Sequence, residues 1–154
     1  MLKDCYPYEA NAGLTSFKFT SMVKGRKINK VVNFTKLVSI GEHIYNLAFG
    51  DYDENECKLE VFVVSNNGDR DKVLNTVALT VLDFFEAHPD SVVIARGSTP
   101  SRTRLYQMGI NKNLDIITTR LDVFGFYQNT WQKFQSNINY ESFYVTKRNS
   151  SFTL

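Results

Sequence analysis

V-V-I-A-R-G-S-T-P-S-R-T-R-L-Y-Q-M (residues 92–108) compresses a strand, a turn and the opening of a helix into one stretch. Val92, Val93 and Ile94 are contiguous and β-branched, as a core strand requires. Gly97 permits a turn that a side chain would strain. Thr99 falls at the N-cap, where its hydroxyl can accept a backbone N–H. Pro100 falls at N1, where a missing N–H is no loss. A helix N-terminus presents free N–H groups and a partial positive charge, so it suits an anion. Ser98 and Thr99 add hydroxyls there, and Arg102 and Arg104 add guanidiniums. Tyr106 lies one turn after Arg102 and shares its helix face. The stretch is expected either to clamp a phosphate or carboxylate, or to be a well-capped helix with solvated arginines.

The fold follows by working outward. Over residues 70–87, Val73, Leu74, Val77, Ala78, Val81, Leu82 and Phe85 obey the i, i+3, i+4, i+7 rule and predict an amphipathic helix. His88-Pro89 stops it. Upstream, apolar alternation predicts strands over 17–23, 28–38, 44–50 and 59–64, joined by short turns into a four-stranded antiparallel meander. Downstream, Gly109 is the expected C-cap of the helix that starts at Pro100. Residues 111–119 read as a short helix or a loop, and 121–127, 131–135 and 142–147 as three further strands. The expected class is α+β. A curved antiparallel sheet is covered by a long helix and followed by a strand–helix–strands unit. The whole forms one domain over residues 1–154, with an irregular segment at 1–14 and a frayed tail at 148–154.

Composition narrows the function classes. The chain has 154 residues, is 43% hydrophobic and 14% aromatic, and can build a real core. A net charge of +2 is too near neutral to point to nucleic acid by itself. No apolar run approaches the roughly 20 residues of a membrane-spanning helix. The start, M-L-K-D-C-Y-P-Y-E, lacks a basic region followed by an apolar one, so no leader and a cytoplasmic setting are expected. Cys5 and Cys57 could form a disulfide, but a reduced pair of thiols is expected. There is no C-x-x-C and no Cys/His cluster of metal-binding type, so neither metal nor cofactor is expected. Asp51, Asp53 and Asn55 match the first three ligand positions of a calcium loop. Glu56 and Phe62, however, stand where that loop needs glycine and a bidentate Glu.

One constellation stands out, and it is conditional. If the strands at 59–64 and 92–95 are parallel, the helix between them is a crossover, and both following helices start at the same sheet edge. Asn66, Asn67, Gly68 and Asp69 would then face Gly97, Ser98, Thr99, Arg102 and Arg104. A second, weaker feature is a hairpin with a basic tip. Lys24, Arg26, Lys27 and Lys30 there could lie along a phosphate backbone, or simply keep the turn solvated. Neither G-x-x-x-x-G-K-[ST] nor G-x-G-x-x-G occurs. His43 and His88 have no evident catalytic partner. A metal-free phosphodiester chemistry would use Arg102 and Arg104 on the developing charge, with Tyr106 or Asp69 taking a proton.

N-L-A-F-G-D-Y-D (46–53), V-V-S-N-N-G-D (63–69) and G-S-T-P-S-R-T-R-L-Y-Q-M-G-I (97–110) resemble the motifs of a family of small bacterial proteins of unknown function, of about this length. The resemblance extends to Y-P-Y near the start and N-Y-E-S-F-Y-V (139–145), and it implies no activity. The order of four strands and a helix is similar to half of a whirly-type single-strand-binding fold, at the level of fold only.

The leading expectation is a protein that binds a phosphate-bearing ligand, single-stranded DNA or RNA first, at convergent helix N-termini. Its size suits a regulator, or one component of a toxin–antitoxin or phage-defence pair. One alternative is a metal-independent nuclease or nucleotide-processing enzyme at the same site. The other is a protein-interaction or homodimerisation module built on the aromatic C-terminal strands, through Phe124, Phe126, Tyr127, Trp131, Phe134, Tyr140, Phe143 and Tyr144.

Overall fold

The computed structural model describes residues 3–53, 58–60 and 68–152. Among these, nine strands form one sheet and three helices pack against it. The strands are β1 (Glu9–Ala10), β2 (Ser16–Val23), β3 (Arg26–Lys36), β4 (Ile44–Asp53), β5 (Lys58–Glu60), β6 (Val92–Ala95), β7 (Leu121–Tyr127), β8 (Thr130–Lys133) and β9 (Ser142–Lys147). The helices are α1 (Arg70–Ala87), α2 (Pro100–Lys112) and α3 (Leu114–Ile117). The sheet order is β1-β2-β3-β4-β6-β9-β7-β8, with β5 also paired to β4. The fold is therefore α+β with one large, mostly antiparallel sheet.

The parallel pair decides the topology. β6 lies beside β4, with Ile44 opposite Val92 and Leu47 opposite Ala95. β5 instead runs antiparallel to β4, with Asp51 opposite Glu60. The parallel partner of β6 is thus the strand starting at Ile44, not the one expected at 59–64. The part of that segment beyond residue 60 lies outside the described residues. The crossover unit is β4–α1–β6.

Alternation sorts the side chains. From β2, β3 and β4, Phe17, Phe19, Val32, Phe34, Leu47 and Phe49 face the helices and meet Val73, Val77, Phe84 and Phe85 of α1 in the main core. Phe84 stacks on Phe34 with ring centroids 4.2 Å apart. The opposite face carries a smaller cluster, in which Ile44, Val92 and Tyr144 are buried among Phe124, Trp131 and Phe152. The aromatic C-terminal residues therefore do not form one patch. Tyr140 and Phe143 belong to the helix side, whereas Tyr144 and Phe124 stack with each other on the back. The tail folds onto that back face, with the Phe152 ring edge-on to Tyr144 at 5.8 Å.

α2 passes the position where it was expected to stop. Gly109 is no C-cap: the helix continues to Lys112 and ends at Asn113. Gly109 instead faces α1, where a Cβ on it would sit 3.5 Å from the Leu74 side chain. The Asn113 amide donates to Asn75 of α1 at 3.2 Å and to the Gly109 carbonyl at 2.9 Å. Lys112 also pairs with Asp71 at 2.9 Å. The end of α2 thus lies beside the start of α1, and the two helices run in opposite directions.

Candidate functional site

The turn between β6 and α2 is built as its residue types dictate, with one difference. Thr99 is extended and its hydroxyl accepts from the Arg102 N–H at 3.3 Å, with Pro100 following at the first helical turn. Gly97 is required for space rather than for an unusual dihedral. A Cβ there would lie 2.2 Å from the Thr103 nitrogen and 2.5 Å from the Arg102 carbonyl carbon. That close approach lets the Gly97 N–H donate to Thr103 Oγ1 at 3.0 Å, while the same hydroxyl donates to the Thr99 carbonyl at 3.2 Å. Thr103, buried in the helix, pins the turn to its own first coil.

Beside this turn opens a cavity of about 310 Å³ between α1, α2 and the sheet. Its walls are largely hydrocarbon, from residues such as Val77, Ala78, Leu105, Ile110 and Phe143. Polar side chains gather at the turn, where Arg96, Ser98 and Arg102 line the cavity. Ser98 and Arg96 are exposed and Arg102 is half-buried. Tyr106 lies along the wall, its hydroxyl directed at the Leu47 carbonyl at 3.5 Å. Burial pushes its phenol up to about 12, against opposing pulls from a backbone hydrogen bond at Phe49 and from Arg102. Tyr106 is therefore a neutral wall at ordinary pH and a poor acceptor of protons there.

The expected site residues separate into three places. Gly97, Ser98, Arg102 and Tyr106 meet at the cavity, with Thr99 capping α2 next to them. Arg104 is exposed on another side of α2 and does not line the cavity. Asp69 is elsewhere. α2 spans thirteen residues, about 20 Å, and its far end meets the start of α1. The two N-termini therefore do not converge, because the antiparallel packing of α1 and α2 sets them apart. Asn66 and Asn67 lie outside the described residues.

The start of α1 is occupied by the protein itself. The Asp69 carboxylate accepts the Ser21 hydroxyl at 2.6 Å and the Tyr6 hydroxyl. Burial opposes its charge, but the two hydroxyls outweigh that and hold the carboxyl below its ordinary value. Next to it on β3 is Lys30, one of the four basic hairpin residues. Its ammonium lies 2.6 Å from Asp51 and only 2% of the residue is exposed. Lys30 cannot contact a phosphate backbone, because β3 turns it to the helix side of the sheet. Lys24, Arg26 and Lys27 are exposed at the tip. Phe34 is level with Leu47 and so with Ala95 at the base of the α2 turn. Arg26 is eight residues further along β3, about 26 Å away along the strand.

The sequence pattern missed Arg96, Thr103 and the cavity itself. A signal existed for the last: Ala78 and Gly109 are small residues on the apolar faces of two helices that pack together.

A model of a family of unknown function, DUF6934, matches residues 2–148. The chain belongs to that family. No curated protein and no solved structure matches the chain. Among the described residues no group of His, Cys, Asp and Glu could hold a metal ion, and no helix is long and apolar enough to cross a membrane.

Proposed function

We propose that this member of the family binds a phosphate-bearing ligand at the turn from Gly97 to Arg102. The observation that carries the reading is the placement of Arg102 and Ser98 together, at the start of a capped helix and at the opening of a cavity. The helix start contributes partial positive charge, and the guanidinium adds a full charge with paired donors that match an oxyanion. The nearest basic cluster, at the hairpin tip, is too distant to share one small ligand. This favours a compact ligand, or one end of a nucleic-acid strand, over a strand laid along both.

Single-stranded DNA and RNA remain the polymer form of the same reading. Short labelled oligonucleotides, followed by anisotropy at low and moderate salt with inorganic phosphate as competitor, test it. Binding should weaken about tenfold or more in Arg102→Ala and less than about threefold in Arg104→Ala. Gel integrity on the same samples reports cleavage. Equal losses in the two variants, or no competition by phosphate, would refute the placement at this turn.

A further inference from the structure

The cavity behind the turn says what the rest of the ligand must be. Its opening is polar and its interior is not. Ala78 and Val81 of α1, Leu105 and Ile110 of α2, and Val93 and Phe143 of the sheet surround a space of about 310 Å³. That is the lower end of the range for small-molecule sites, roughly 300–1,000 Å³. The space is an open cleft, bounded by α1 and α2 where they meet over the sheet. The small side chain of Ala78, and the absence of one at Gly109, keep the helices from filling it. The phenol of Tyr106 is turned to the Leu47 carbonyl, and away from the turn Asn46 is the other polar residue of a lining that is mostly hydrocarbon.

A nucleobase inserted here would bring several N–H and C=O groups to walls that are mostly hydrocarbon, and polar groups left unpaired are costly to bury. A hydrocarbon body meets no such penalty. Resting on the anion reading above, we propose that the cavity takes the alkyl or aryl body of an amphipathic organic anion, with its phosphate or carboxylate head at Ser98 and Arg102. The two head groups share one chemistry at the turn, and the experiment separates them.

Isothermal titration with inorganic phosphate, hexyl phosphate, octyl phosphate, octanoate and octanol, all below micellar concentrations, provides the test. Each added methylene should tighten binding about threefold to fourfold. Octanol should bind at least about tenfold more weakly than the better of the two eight-carbon anions, and that anion identifies the head. Val81→Trp and Leu105→Trp place bulk in the cavity from opposite walls at half-buried positions. In whichever of them retains the wild-type Tm, the chain-length dependence should vanish while inorganic phosphate binds as before. Arg102→Gln should weaken every anion and keep the chain-length slope.

Octyl phosphate and octanoate binding no tighter than inorganic phosphate would overturn the hydrocarbon body and leave the anion site standing. Octanol binding as well as the anions would overturn the head at the turn. No binding of any anion would remove both readings. A chain-length slope that survives in the filled variants would place the hydrocarbon elsewhere and overturn the proposal.

Discussion

The two long helices start with similar chemistry and end in opposite states. α1 opens after Gly68-Asp69, and α2 opens after Gly97-Ser98-Thr99. At α1 the acidic N-cap is engaged from inside, by hydroxyls of Tyr6 and Ser21 that precede it by 63 and 48 residues. At α2 the N-cap hydroxyl is spent on its own helix, and the serine and arginine beside it face a cavity. The glycines differ as well. Gly68 has a φ of +85° with nothing near its missing side chain, whereas Gly97 is crowded by the backbone of the helix it precedes. A helix start can thus be a fastening or a port, and distant residues decide which.

The largest expected effect lies on the fastened side. Lys30 and Asp51 are a buried ion pair beneath the start of α1. Lys30→Ala leaves Asp51 charged without its ammonium, and should destabilise the protein by about 3–5 kcal/mol in urea unfolding. The double substitution Lys30→Met with Asp51→Leu should recover most of that loss, since neither member of the pair is then left charged without the other. If the single and double variants are equally unstable, the pair is not what holds this corner.

Gly97→Ala should come next, at about 1–3 kcal/mol, because backbone atoms rather than a flexible side chain occupy the space. Gly68→Ala should lose about 1 kcal/mol, from its positive φ alone. Thermal unfolding of the two variants side by side would sharpen the contrast between crowding and dihedral strain. A Gly68→Ala loss equal to or above that of Gly97→Ala would reverse it.

The caps are expected to differ in the same sense. Asp69→Asn weakens two hydrogen bonds to a charged acceptor, and Thr99→Ala removes one local bond, about 1 kcal/mol. Only the first should depend on pH. The folded carboxyl of Asp69 titrates below its ordinary 3.8, so its contribution is complete above that value. It is lost as pH falls through the lower folded value. Stability measured from pH 6 down into that acid range should therefore fall less steeply in Asp69→Asn than in the wild type, with Thr99→Ala parallel to the wild type throughout.

What could be read from the chain beforehand divides along the same line. The apolar repeat over 70–87 coincides with α1, and the run at Val92–Ala95 with β6, because both signals are local. The Thr99 cap with Pro100 after it is also local, and the structure contains it. Strand pairing is not local. A hairpin return at β5 separates β4 from its crossover, so β6 pairs with the strand before β5. Gly109 looked like a stop because a glycine inside a helix and one just past it are the same letter. The continuation of α2 to Lys112, with Asn113 closing it, tells them apart. Lys30 looked like part of a basic tip because charge is read along the chain, whereas the two-residue period of β3 turns it inward beside Asp51.

The most direct measurement is a ¹⁵N-resolved NMR titration with phenyl phosphate, a probe that carries both an oxyanion and a small apolar body. Backbone amides of Gly97, Ser98, Arg102 and Thr103 should shift together and saturate, while those of Gly68, Asp69 and Asp71 stay in place. Saturable shifts centred on the start of α1 or on Lys24, Arg26 and Lys27, with the α2 turn unmoved, would contradict the assignment of α2 as the port.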